Sequence, residues 1–155
     1  METFNLGQLT KEMVASRLGE MPDPCAVAAD ILEKALTSAL RARGRFGPAE
    51  QEMVSEACHG ALIGILLRHQ SLPRGAVEVA RAAASVVHAL NLDPTEFMTC
   101  ALLGLSRIRW VASEEQVGEI CFALETEFMG AGEVFIDQCR QIAASLAREQ
   151  SAPGP

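Results

Sequence analysis

Apolar residues along this chain recur at intervals of three and four, the spacing that places side chains on one face of a helix, and nowhere alternate as a strand requires. Seven such segments are predicted. The first lies within residues 1–21 and carries Leu9, Met13, Val14 and Leu18 on one side. The second runs from about Pro24 to Arg43, with Val27, Ile31, Leu32, Ala35, Leu36, Ala39 and Leu40 inward and Gly44 as its stop. Pro48 opens the third, which is polar at first and then apolar all round from Gly60 to Leu67. A helix with no polar face belongs at the centre of a fold. In the fourth, Arg74, Glu78, Arg81, Ser85 and His88 make one polar stripe on an otherwise small and apolar helix. The fifth, about Pro94 to Val111, is again almost wholly apolar. The sixth, ending near Met129, turns Val117, Ile120, Cys121, Leu124 and Phe128 inward, and the seventh turns Phe135, Cys139, Ile142 and Leu146 inward.

Helix-start signals agree with these limits. Asp23-Pro24 and Asp93-Pro94 each place a capping carboxylate before a first-turn proline, and Glu96 and Gln116 stand where a capping box needs them. The expectation is an all-α fold: a compact bundle of about seven helices around two central apolar ones, the third and the fifth. Residues 1–150 form a single domain and 151–155 a disordered tail. Gly60 and Gly64 share a face of the third helix, and the small side chains of the fourth are expected to settle into it. The phrase Glu56-x-x-x-x-Ala61-Leu62-Ile63-Gly64-Ile65 returns as Glu96-x-x-x-x-Ala101-Leu102-Leu103-Gly104-Leu105. Two copies are too few for a repeat array, so shared packing demands are the reading adopted.

Composition narrows the class. Apolar residues make up 49% of the 155 and charged ones 21%, a globular mix, with no run near the roughly 20 apolar residues of a membrane span. With no secretory leader in the N-terminal residues, a cytoplasmic setting is expected. The five cysteines (Cys25, Cys58, Cys100, Cys121, Cys139) are odd in number and singly placed, so they are read as small buried hydrophobes. A net charge of −7, one tryptophan and no tyrosine argue against nucleic acid.

Candidate chemistry is sparse. Glu56-x-x-His59, with Glu52 a turn earlier, has the spacing of a di-iron ligand pair, but no second pair completes it. His59-Gly60, His88 and Leu92-Asp93-Pro94-x-x-Phe97 resemble the two haem-facing histidines and the following corner of animal globins. The likeness ends at residue 97, and His88 falls on the polar stripe of a long helix where a globin has a short one, so no family is assigned. No motif of a hydrolase, zinc peptidase or nucleotide-binding loop is present. No catalytic residue, cofactor or metal is therefore assigned.

Charge is uneven. From Glu114 to Asp137 there are seven acidic residues and no basic one, whereas Arg41, Arg43 and Arg45 cluster at one linker. Glu115, Glu119 and Glu127 on one side, and Arg41, Arg43 and Arg45 on the other, are the candidate partner-binding residues. The expected function is a non-catalytic helical interaction or assembly module, a homo-oligomer or the partner of another protein. The alternative is a helical pocket for an apolar small molecule.

Overall fold

The computed structural model describes residues 5–17 and 23–151. Among them there are seven α-helices and no strand: α1 (Leu6–Arg17), α2 (Pro24–Arg43), α3 (Pro48–Leu67), α4 (Leu72–Leu90), α5 (Pro94–Ser106), α6 (Glu114–Glu127) and α7 (Ala131–Ser151). A short 3-10 turn, Arg107–Trp110, follows α5.

The helices pack in two rows. α1, α3, α5 and α7 lie side by side in one, and α2, α4 and α6 in the other. Chain neighbours from α1 to α5, and α6 with α7, also touch across the rows, while the 3-10 turn after α5 meets α6, so successive hairpins stack along one direction. α3 and α5 sit in the interior of their row, as their apolar sequences require, and α4 joins them from the other row. The core runs through Leu32, Leu36, Leu62, Ile65, Phe97, Leu105, Ile120, Leu124 and Phe135.

The rows owe their tightness to small residues. A Cβ at Gly60 would strike the backbone carbonyl of Gly7, and one at Gly64 would come within 2.8 Å of Val14. The glycine face of α3 is therefore filled by α1, not by α4. The expectation failed because the weak helical signal of the first segment concealed its fit: Leu6, Gly7, Thr10 and Val14 are buried against α3, while Leu9 is partly exposed. Leu18 and residues 152–155 of the expected tail lie outside the described residues, while Ser151 is the last residue of α7. One step along the row, a Cβ at Gly104 of α5 would strike the carbonyl of Ser55, whose hydroxyl donates to the Cys100 carbonyl at 2.8 Å. The sequence echo thus falls on two adjacent helices of one row, each using its glycine to admit the helix before it. Gly75 of α4 meets Ile65 of α3 instead.

Caps fall where the sequence puts them. Asp23, Ser71, Asp93 and Ser113 each accept a backbone N–H of the first turn, and Gly44 and Asn91 close α2 and α4 in the left-handed conformation. Two ends differ. Glu96 reaches across to Gln51 rather than completing a box with Asp93. The fifth helix does not continue to Val111: after Ser106 it tightens into the 3-10 turn, and Val111 is 62% exposed.

Gly60 and Gly118 give a matched test. Gly118, in exposed α6, has open space where its Cβ would be. Gly118→Ala should raise stability by about 1 kcal/mol, the helix-propensity difference. Gly60→Ala should lower it by about 1–3 kcal/mol through overpacking against α1. Urea denaturation of both variants checks this, and equal effects would contradict the seating of α1 on α3.

Candidate interaction surface

The arginine cluster is built into the α2–α3 connection. Glu50, in the first turn of α3, is buried, yet its Oε1 accepts from the Gly47 N–H at 3.0 Å. Arg43 Nη1 donates to Glu50 Oε2 at 3.1 Å, and Arg45 Nε lies 3.5 Å from Oε1. The Gly47 hydrogen bond and then the two guanidinium groups hold the Glu50 carboxyl below its usual range. Arg43 and Arg45 thus serve the fold, while Arg41 is exposed with no partner among the described residues.

The acidic stretch divides in the same way. Glu127 accepts from Arg81 at 2.6 Å and ties α6 to α4; Glu125 accepts from the Gly130 N–H at 2.7 Å. Glu115 and Glu119 project from α6 with no ion pair among the described residues. Of the six candidate residues, the structure leaves three free of intrachain partners (Arg41, Glu115, Glu119) and does not bring the arginine and glutamate groups together.

The residues that could carry chemistry are dispersed. Glu52 is paired with Arg107 at 2.9 Å, and His59 packs edge-on to Trp110 with ring centroids 6.2 Å apart. Burial first, then Arg107 and Lys11, lower the His59 pKa, favouring the neutral ring. No group of three or more His, Cys, Asp or Glu among the described residues is placed to hold a metal ion. His88 is exposed on α4, away from any pocket with His59. Cys25, Cys58 and Cys139 are buried, Cys100 and Cys121 half-buried, and none is bonded to another. Burial pushes the Cys58 thiol up to about 12 and the Cys139 thiol up to about 11, so neither is poised as a thiolate.

The concentrated exposed apolar surface lies elsewhere, on the outer side of the α5–α7 pair. There Leu103, Trp110, Ile142 and Leu146 line a groove of about 400 Å³, with Gln138, Gln141, Ser145 and Glu149 among them. Trp110, the only tryptophan of the chain, is 56% exposed. Gln138 Oε1 is buried there without a hydrogen-bond partner.

Sequence periodicity missed this groove. It turned Leu146 inward and made the apolar fifth helix central, but Leu103 and Leu146 are 38% and 36% exposed, because among the described residues α7 ends its row and no further helix covers that side. Trp110 carried one usable signal: it stands between Arg109 and the Ser113 cap, past the last regular turn of α5. A second apolar hollow, of about 390 Å³, opens at the other end of the same helix pair, around Met98, Leu102, Phe128 and Met129.

No protein-family model, no curated protein and no solved structure matches this chain. No helix among the described residues is long and apolar enough to cross a membrane.

Glu50 supplies a pH-dependent test. Its folded pKa is depressed, so its contribution is present above the ordinary carboxylate range and is lost as pH falls through the folded value. Glu50→Gln should lower the melting temperature by several degrees at neutral pH, and the gap to the parent should close on acidification. A gap that is constant from neutral pH to strong acid would contradict the ionised Glu50 anchor.

Proposed function

We propose that this chain is a non-catalytic helical interaction module that assembles with itself. The observation supporting this reading is the apolar groove around Trp110, left open where the odd row of helices stops at α7. Contiguous exposed apolar surface on a helical fold is the usual mark of a protein interface. Catalysis needs a nucleophile, a base and an acid within reach of one point. Here Glu50, Glu52 and Glu127 are held in separate ion pairs, and burial raises the Cys58 thiol. A reducing, cytoplasmic setting suits five unpaired cysteines.

Charge plays a supporting part in this proposal. Glu115 and Glu119 are free to meet an arginine-bearing surface, of which Arg41 is one example without an ion pair among the described residues. Such rim charges set association rate more than affinity, and salt screens them over about 8 Å at physiological strength.

Native mass spectrometry over graded concentrations tests the proposal, with a dimer free of bound small molecule as the expected species. A monomer at every concentration, or a stoichiometric co-purified ligand, would overturn it. Reversing Glu115 and Glu119 to lysine should change the association rate at low salt and leave it nearly unchanged at high salt.

A further inference from the structure

We infer that the hollow between α1 and α3 binds a small zwitterion of the α-amino acid kind, its carboxylate on Lys11 and its ammonium on Glu56. The site stands at the α1 end of the odd row, apart from the α7 face, and goes beyond the self-assembly proposed above.

Close approach of the two helices builds the hollow. A Cβ at Gly7 would come within 2.6 Å of the Glu56 carbonyl, and one at Gly60 would strike that of Gly7, so the floor is backbone. Side chains form the rim: Asn5, Gln8 and Lys11 from α1 and the residue before it, and Glu56, His59 and Ile63 from α3. They surround about 350 Å³, within the range of small-molecule sites. Ile63 is the one apolar side chain in this lining, so the hollow suits a polar occupant, unlike the two apolar hollows of α5 and α7.

Charge narrows the class. Lys11 and Glu56 are half-buried on the same hollow, yet among the described residues neither side chain makes an ion pair or a hydrogen bond. They stand at different levels. A Cβ at Gly7 would lie 3.0 Å from the Glu56 Cβ, whereas Lys11 is a helical turn further along α1, about 6 Å at 1.5 Å per residue. A lone anion drawn to Lys11 would be repelled by Glu56, and a lone cation drawn to Glu56 would be repelled by Lys11. An α-amino acid carries both charges side by side and answers both through charge-assisted hydrogen bonds.

The other lining groups agree with this occupant. His59 adds no third charge, since burial first, then Arg107 and Lys11, favour its neutral ring. Its Nδ1 is enclosed by protein, so only the rest of the ring faces the hollow. Asn5 accepts from the Gln8 N–H and Gln8 donates to Glu12, which leaves Lys11 and Glu56 as the groups for a ligand. The hollow is open to solvent, so its occupant exchanges and is not carried through purification, in keeping with the ligand-free dimer expected above. Once bound, it bridges α1 to α3.

Isothermal titration of the full-length protein with the proteinogenic L-amino acids tests this, followed by the methyl ester and the N-acetyl form of the tightest binder. The ester keeps only the ammonium, and the acetyl form only the carboxylate. Saturable one-to-one binding is expected, weakened about tenfold or more in either derivative, in Lys11→Gln and in Glu56→Gln. Lys34→Gln, at an exposed position of α2, should leave it unchanged. Circular dichroism verifies folding, and if a variant is unfolded the two derivatives on the parent decide. Hydrogen exchange of residues 5–17 should slow when the amino acid is bound. No saturable binding by any amino acid overturns the inference, as does binding that leaves exchange of residues 5–17 unchanged. Derivatives, or folded variants at Lys11 and Glu56, that bind as tightly as the free amino acid binds the parent overturn it too. Each of these failures leaves self-assembly standing.

Discussion

Close backbone approach between neighbouring helices of the odd row is the constraint on which the rest of the structure depends. Gly7 against Gly60, Gly64 under Val14, and Gly104 over Ser55 bring α1, α3 and α5 nearer than side chains of ordinary size allow. At that separation α3 is enclosed by α1, α2, α4 and α5, which explains how Ala61, Leu62 and Ile65 can all be inaccessible on one helix. Small residues give up little side-chain entropy when buried and leave no voids when backbones meet. A low aromatic content is the natural companion of such packing, and the rings it does bury are few: Phe97 and Phe135 are inaccessible in the core, with Phe46 stacked on Phe97 at 5.4 Å.

Stacking in rows also decides where the surface is incomplete. A closed bundle buries every apolar stripe, whereas a row has two ends. α1 turns a largely polar exterior outward, with Gln8, Lys11 and Glu12 at least partly exposed. Among the described residues α7 packs chiefly on α5, α6 and the 3-10 turn, so its outer flank keeps Val134 and Leu146 in reach of solvent. The break in α5 after Ser106 belongs to the same region, since it sends Trp110 outward between α3 and α7. Among the described residues, tight backbone packing is thus concentrated at the α1 end of the row and uncovered apolar surface at the α7 end.

Much of the fold was legible in the sequence, because periodicity and caps are local. Asp23-Pro24, Asp93-Pro94 and Ser113-x-x-Gln116 start helices where they stand, and the stripe Arg74, Glu78, Arg81, Ser85, His88 faces water as its spacing requires. What was not legible is non-local. The partner of the Gly60–Gly64 face depends on α1, whose amphipathic signal is slight. The exposure of Leu103 and Leu146 depends on the absence of a neighbour, which no window of sequence records. Arg43, Arg45 and Glu127 illustrate the converse: they read as free surface charge, and folding gives them Glu50 and Arg81 as partners. The candidate surface was therefore readable only as composition, an excess of apolar helix over what the chain can cover.

Hydrogen–deuterium exchange, compared at low and high protein concentration, tests most directly the claim that the α7 end of the row is the assembly face. Amides of the 3-10 turn and the following loop, residues 107–113, and of the outer half of α7 should exchange more slowly at high concentration, with residues 114–127 unchanged. Slowing confined to 114–127, or to the α2–α3 connection around Arg41, would contradict the account.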